Sequence, residues 1–473
     1  MSMRALVVIL LAVLAGCSVG PDYVRPTAPE APAYKELDGW KVAEPQDDVL
    51  RGAWWERYDD PDLSALEERV VVSNQTLAAA EAQLRQARAL VGASRSSWYP
   101  NVTVGVSASR SKQSSNLGSS QFGGGRYDTD LVMPLSISWE ADVWGRIRRA
   151  VESSEDTAAA TAADLASTQL SLQSELAIDW FTLRTLDSQR QLLDETVKVY
   201  ERTLTLTRNR LASGVVSRAD VVQAETQLES TRAQSIDVGV QRAQLEHAIA
   251  VLVGEPASTF SIPFAPLHGE PPPVPVGLPS ELLERRPDIA AAERRVASAN
   301  AEIGVATAAY YPTVTLSATG GFQSGDIAKW LVWPSRFFSV GPAVTQTVYD
   351  GGLRASQSDQ ARATFDATVA DYRQSVLTGF QEVEDALSSL RLLAEEDRVQ
   401  ARAVAAAEES VKITTNQYTA GTISYLSVVI VQAAALSNRQ TYADIRGRRL
   451  EASVRLIQAL GGGWDISQLP DAP

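Results

Sequence analysis

Apolar residues recur at every third, fourth and seventh position over most of this chain, and the pattern switches to strict alternation in short stretches. Leu63, Val70, Leu77, Leu84 and Val91 are spaced by seven, and Leu66, Ala80 and Ala87 fill the second seam. The spacing predicts a helix with a coiled-coil-like stripe over four heptads, opened by the start signal Asp60-Pro61-Asp62. At Tyr99-Pro100 the helix gives way to a strand. A polar, glycine-rich loop over 111–130 follows, then a second strand from about Leu131 to Val143. There Leu135, Ile137, Trp139 and Ala141 alternate with Ser136, Ser138, Glu140 and Asp142, giving one apolar and one polar face. Residues 147–212 contain no proline or glycine and keep the helical period. A helix of that length reaches roughly 100 Å at about 1.5 Å per residue. It ends at Ala212-Ser213-Gly214, and Ser217 caps a return helix from Arg218 to Leu252, so the pair is a hairpin with a tight tip.

The same construction occurs twice. The stretch from Arg285 to Gly320 opens with Pro287 at a first helical turn and becomes a strand at Tyr311-Pro312. Shifting the first copy by 212 places Ala78-Ala79-Ala80-Glu81 on Ala290-Ala291-Ala292-Glu293 and Tyr99-Pro100 on Tyr311-Pro312. A loop over 320–335, a strand over about 337–349 and a long helix to Thr419-Ala420-Gly421 follow. A return helix from about Ser424 ends at Gly461-Gly462-Gly463. The tips correspond, Gly214 with Gly421 and Ser217 with Ser424. The expected organisation is a signal segment over 1–16 and a tether over 17–61. Two repeats over 62–255 and 280–463 are joined by a proline-rich linker over 256–279, and a tail covers 464–473.

Four strands of this length suit a tilted membrane crossing. They cannot close a barrel, and lipid does not tolerate open sheet edges. Two chains would supply eight strands and three would supply twelve. The helices are too polar for lipid and too long for a globule, and they fit a soluble tube continuous with the barrel. The expected fold class is thus α+β, a transmembrane β-barrel running into a helical tunnel, with an internal two-fold repeat.

Composition narrows the chemistry. The net charge of −14 has no basic block, which argues against nucleic acid. Two histidines and the single Cys17 exclude an intrachain disulfide and a Cys/His metal cluster. The triplets 123–125 and 461–463 lack the Lys-Ser/Thr of a phosphate loop, and no nucleophile–base pair stands out. No catalytic residue, cofactor or metal is expected. Arg4, the apolar run from Ala5 to Val13, and Leu14-Ala15-Gly16-Cys17 read as a signal peptide ending in a lipobox-like site. Cys17 is then the lipid-attachment residue, and Ser18 suits sorting to the outer membrane.

The sequence resembles the outer-membrane efflux proteins, the TolC-like channel-tunnels, and within them the OprM/NodT type of lipoprotein. The resemblance rests on 17–23, Trp54-Trp55, Val274-Pro275-Val276-Gly277-Leu278-Pro279-Ser280 and Leu282-Leu283-Glu284-Arg285-Arg286-Pro287-Asp288-Ile289. It implies a homotrimer in outer-membrane lipid, a periplasmic membrane-fusion adaptor, and an inner-membrane pump of the resistance-nodulation-division class. It implies that drugs or small toxic compounds pass through; an exit duct for type I protein secretion is the alternative. It also implies adaptor docking at the tips (Gly214, Val215, Ser217, Gly421, Thr422, Ser424) and a periplasmic gate at Tyr418 and Leu426. Relatives often carry an aspartate and an arginine where this chain has Ile430 and Ala433, so the expected closure is apolar, by Leu426 and Ile430.

Overall fold

The computed structural model describes residues 19–29, 34–35, 53–112, 114, 127–272 and 285–464. Cys17 and the whole 274–284 part of the signature lie outside them. The first half contains α1 (Pro61–Ser73), α2 (Gln75–Ser96), β1 (Asn101–Val104), β2 (Ser107–Lys112), β3 (Tyr127–Ala141), α3 (Arg146–Ala212) and α4 (Arg218–Leu252). The second contains α5 (Pro287–Ala308), β4 (Thr313–Ser324), β5 (Arg336–Thr345), α6 (Leu353–Thr419) and α7 (Tyr425–Ala459). The halves match in length: α2 and α5 have 22 residues each, α3 and α6 have 67, and α4 and α7 have 35.

One expectation about the first helix fails. The stripe from Leu63 to Val91 is not on one helix, because the chain turns at Asn74 between α1 and α2. Asn74 is buried, its Oδ1 accepts from the Leu77 N–H, and its Nδ2 donates to the Leu252 carbonyl at 2.8 Å. Asparagine competes for backbone groups better than it supports a helix interior, and a carbonyl from α4 rewards the break. The stripe still faces inward on both pieces: Leu63, Leu66, Val70, Leu77, Leu84 and Val91 are buried.

The strands form one antiparallel sheet in the order β1–β3–β4–β5, with β2 also pairing β3. The first strand is therefore split. Gly105 stands opposite Pro134, whose missing N–H interrupts the ladder there, although Gly105 still donates to the Pro134 carbonyl at 3.0 Å. The loops are shorter than the sequence suggests. β2 and β3 reach Lys112 and Tyr127, and β4 continues through Gly320 and Gly321 to Ser324, because cross-strand pairing extends the ladder over residues that have no strand preference of their own. The last strand stops at Thr345, short of Tyr349.

The broadest core lies where α1, α3, α6 and α7 converge, around Trp54, Leu63, Trp180, Leu183, Leu387 and Ile457. The linker after α4 is strapped to this level by Asp187, which has no exposed surface. Its carboxylate accepts from Arg242 Nε at 2.6 Å, from Arg184 Nη1 at 3.2 Å and from the Ala265 N–H at 3.1 Å. Arg184 also donates to the Pro263 carbonyl at 2.7 Å and lies over the Trp180 ring at 4.0 Å. Arg242 donates to the Ile262 carbonyl at 2.7 Å.

Glu67 sits in the same region, fully buried, with neither carboxylate oxygen partnered among the described residues. Burial alone drives its pKa well above the ordinary carboxylate range. A carboxyl whose folded pKa is raised holds its proton more tightly in the folded state. Its contribution to stability is therefore full below the unfolded pKa of about 4.3 and is lost as pH rises toward the folded value. Glu67→Gln is expected to stabilise the protein at neutral pH and to leave it unchanged near pH 4. Denaturant midpoints measured at both pH values check this; equal gains at both would contradict it.

Candidate functional site

The candidate functional features lie at the two ends of the long helices. At the tip end, α3 and α6 stop in the same way. The Gly214 N–H donates to the Leu211 carbonyl and the Val215 N–H to the Arg210 carbonyl, each at 2.9 Å. Gly421 and Thr422 repeat this with Tyr418 and Gln417, each at 3.0 Å. Both are Schellman turns, with Gly214 at φ 72° and Gly421 at φ 79°. A Cβ would meet nothing at either position, so the backbone angle, not space, requires glycine. Ser217 caps α4 in a capping box with Asp220, whereas Ser424 makes no side-chain cap. Gly214, Val215, Thr422 and Ser424 are exposed, so the tips present backbone and small side chains at the surface.

Behind the tips a cluster of Tyr200, Leu204, Val221, Tyr418, Tyr425 and Val428 joins the two hairpins. Burial, then the neighbouring Tyr200 and Tyr418, push the Tyr425 phenol up to about 12. Tyr418 is therefore inside the chain, 6% exposed, with its ring 5.5 Å from that of Tyr425. Leu426 and Ile430 are placed differently. They lie one turn apart on α7 and are 48% and 59% exposed. The three gate candidates thus divide into one ring packed between the hairpins and two aliphatic side chains on an uncovered face.

Arg210 completes this arrangement, and the sequence did not single it out. Its guanidinium sits 4.8 Å from the Tyr418 ring centre and donates to the Tyr418 and Thr419 carbonyls at 3.4 and 3.1 Å. A cation from α3 thereby closes the carbonyl end of α6, where the helix dipole favours positive charge. A basic residue in the last turn of α3 was the only available signal, and it pointed to its own helix.

At the other end, helix meets sheet. Trp144 stacks on Tyr311 with ring centres 4.7 Å apart, and its Nε1 donates to the Pro312 carbonyl at 2.8 Å. Trp139 Nε1 donates to the Trp98 carbonyl at 2.9 Å, beside Tyr99 and Pro100. Both junctions are thus pinned by indoles from β3 and its exit. They are not level along β3: Asn101 pairs with Ser138, but Val314 pairs with Ala141. Such an offset between strands is what tilted strands require.

The N-terminal segment runs back from this collar. The Val19 N–H donates to the Trp144 carbonyl, Asp22 pairs with Arg149 at 2.8 Å, and Tyr23 donates to Glu293. Gly20 (φ 99°) passes so close to Gly304 that a Cβ on it would lie 2.5 Å from the Gly304 Cα. Val19, two positions after Cys17, is thereby fixed beside the helix-to-sheet junction.

On the sheet, Met133, Ile137 and Trp139 of β3 are level with Phe322, Ala318 and Leu316 of β4 on one face. Ser136, Ser138 and Glu140 are level with Thr319, Ser317 and Thr315 on the other. One face suits lipid and the other an aqueous lumen. No helix among the described residues is long and apolar enough to cross a membrane.

The family model for outer membrane efflux proteins matches residues 66–255 and 278–462. The chain belongs to the outer membrane efflux protein family. It is similar to the toluene efflux pump outer membrane protein TtgC of Pseudomonas putida, at 31% identity covering 96% of this chain and 94% of that protein. It is similar to the pyoverdine export outer membrane protein OpmQ of Pseudomonas aeruginosa, at 30% identity over 87% of each. The structure of the outer-membrane channel OprN superposes with a TM-score of 0.88 and 30% identity, over 95% of this chain and all of that one. As a member of this family the chain is an outer-membrane efflux channel: its sheet sits in the outer membrane and its helices extend into the periplasm. The family consists of channels, and the polar face of the sheet suits the lumen of a conduit.

Proposed function

We propose that three copies of this chain form one channel, a twelve-strand barrel above a twelve-helix tunnel. The channel carries drugs or small toxic compounds outward for a resistance-nodulation-division pump and its periplasmic adaptor. The sheet carries this reading: four strand positions with an apolar face and two open edges, the β1/β2 edge and the β5 edge. Lipid leaves no backbone group unpaired, so those edges must meet edges of other copies. The adaptor docks at the exposed turns around Gly214–Ser217 and Gly421–Ser424. Cys17 carries the lipid, and the pinned Val19 sets the anchor at the membrane surface. Leu426 and Ile430 meet their counterparts around the axis and close the tunnel, while Arg210 and Tyr418 hold the hairpins in the closed arrangement.

The test is deletion of this chain alone in cells that express the cognate pump, with accumulation of several dyes and drugs measured. Accumulation is expected to rise for the pump's substrates and to return to normal on complementation. Unchanged accumulation of every compound would remove the assignment.

A further inference from the structure

The sorting of side chains by face continues past the apolar band. Ala141 to Leu131 is eleven residues, or ten steps, along β3. At about 3.4 Å per residue and a tilt of about 45°, that covers roughly 24 Å of depth, close to the apolar height of an outer-membrane barrel, about 25 Å. Beyond Leu131 the same face carries Thr129 and Tyr127, which pair with Arg110 and Lys112 of β2. Both cations lie against the Tyr127 ring, 4.9 and 5.2 Å from its centre. At the same end β5 opens with Arg336. It pairs with Phe322, so it too is on the lipid side, and its guanidinium covers the Trp333 ring at 3.8 Å. The segment between β4 and β5 exposes Ile327, Leu331 and Trp333, together with Lys329. Two carboxylates at this level take the other face: Asp128 and Asp130 pair with Ser111 and Ser109, and Asp130 accepts from Gln323 at 3.0 Å. The carboxylate between β4 and β5, Asp326, is engaged in capping the turn before Lys329, where it accepts from the Ala328 N–H at 3.0 Å. Among the described residues, Arg110, Lys112, Lys329 and Arg336 form no ion pair.

We propose that this cationic, aromatic rim binds the phosphate groups of anionic lipid in the outer leaflet. Rings at headgroup depth with guanidinium and ammonium groups beside them match a phosphorylated headgroup in polarity, charge and hydrogen bonding. The site is continuous with the lipid-facing surface, so its occupant is membrane lipid. The proposal rests on reading the sheet as part of a closed barrel. Closure would also bring the β5 edge of one copy to the β2 edge of the next, uniting Arg336 with Arg110 and Lys112 across a seam.

The full-length protein, extracted as its native oligomer, is placed in nanodiscs of phosphatidylethanolamine containing either diphosphorylated lipid A or the same lipid with both phosphates removed. Lipid A retained per oligomer after washing is counted by native mass spectrometry. The parent is expected to retain the phosphorylated form about tenfold better. The triple variant R110Q/K112Q/R336Q should lose that preference, and D128N/D130N on the lumen side should keep it. Equal retention of the two lipids by the parent, or an undiminished preference in the triple variant, overturns the proposal. If the triple variant does not assemble, Arg336→Gln alone is used with the same criteria. Conductance of the Leu426→Ala/Ile430→Ala form, in which the tunnel is expected to open, is read in planar bilayers in parallel. Conductance by that form with no lipid preference in the parent sinks only the rim; no conductance by either form sinks the channel reading itself.

Discussion

Asp187→Ala is expected to cost about 3–5 kcal/mol of stability, the range for removing one partner from a buried ion pair. Arg184 and Arg242, with side chains only 6% and 12% exposed, would then be left with Asp62 at 3.8 Å and Glu246, respectively, as their carboxylate partners. The Ala265 N–H would lose its acceptor, and the hold on the linker at Pro263 and Ile262 would weaken with the arginines that make it. Asp187→Asn should lose less, because its carbonyl oxygen can still accept from Ala265. Urea unfolding of the extracted protein, followed by tryptophan emission, checks the order. Limited proteolysis of the linker should show it cut first in the alanine variant. A midpoint unchanged in Asp187→Ala would mean that the arginines find other partners and that the linker is held elsewhere.

The second large effect is on opening. Leu426→Ala with Ile430→Ala removes the apolar face that α7 leaves uncovered, and Arg210→Ala removes the cation that ties α3 to the end of α6. If the tunnel closes by apolar contact about its axis, each change should raise the mean conductance in planar bilayers about tenfold or more, through a higher open probability. Burying a leucine stabilises by about 1.5–3 kcal/mol, so losing such contacts shifts a closed–open equilibrium by one to two decades. Tyr418→Phe separates the two mechanisms. It keeps the ring under Arg210 and removes only a buried hydroxyl that has no partner, so conductance should stay at the parent value. Conductance no greater than the parent in the Leu426/Ile430 variant would show that closure lies elsewhere.

Much of the fold could be read from local pattern because its elements are long and periodic. With no proline or glycine from 147 to 212, nothing interrupts α3, and its observed limits, Arg146 and Ala212, fall within a residue of that run. The tips were legible for a similar reason. Glycine at a left-handed position followed by a capping serine is local chemistry, and Ser217 begins α4 as its residue type suggests. Asn74 was not legible. Its side chain favours a cap, but the decision to break the helix rests on the Leu252 carbonyl, 178 residues away in sequence. Strand ends failed likewise. Gly320 and Gly321 read as loop by themselves, and pairing with Leu135 and Pro134 makes them strand.

The site residues divide along the same line. Leu426 and Ile430 are four apart on a helix, so their shared face follows from the period, whereas Tyr418 could have faced either way. Only the packing of Tyr200 and Tyr425 and the approach of Arg210 from another helix put its ring inside. Sequence alone determined the repeat, the lengths of the two long helices, the turns that end them and the two-faced strands. Each follows from a period or a residue type acting within a few positions. The tertiary structure decided which faces are covered, where Asp187 gathers two arginines and a linker, how Val19 is pinned at the collar, and by how many residues neighbouring strands are offset. Those outcomes depend on groups brought together from distant parts of the chain, and no local propensity carries that information.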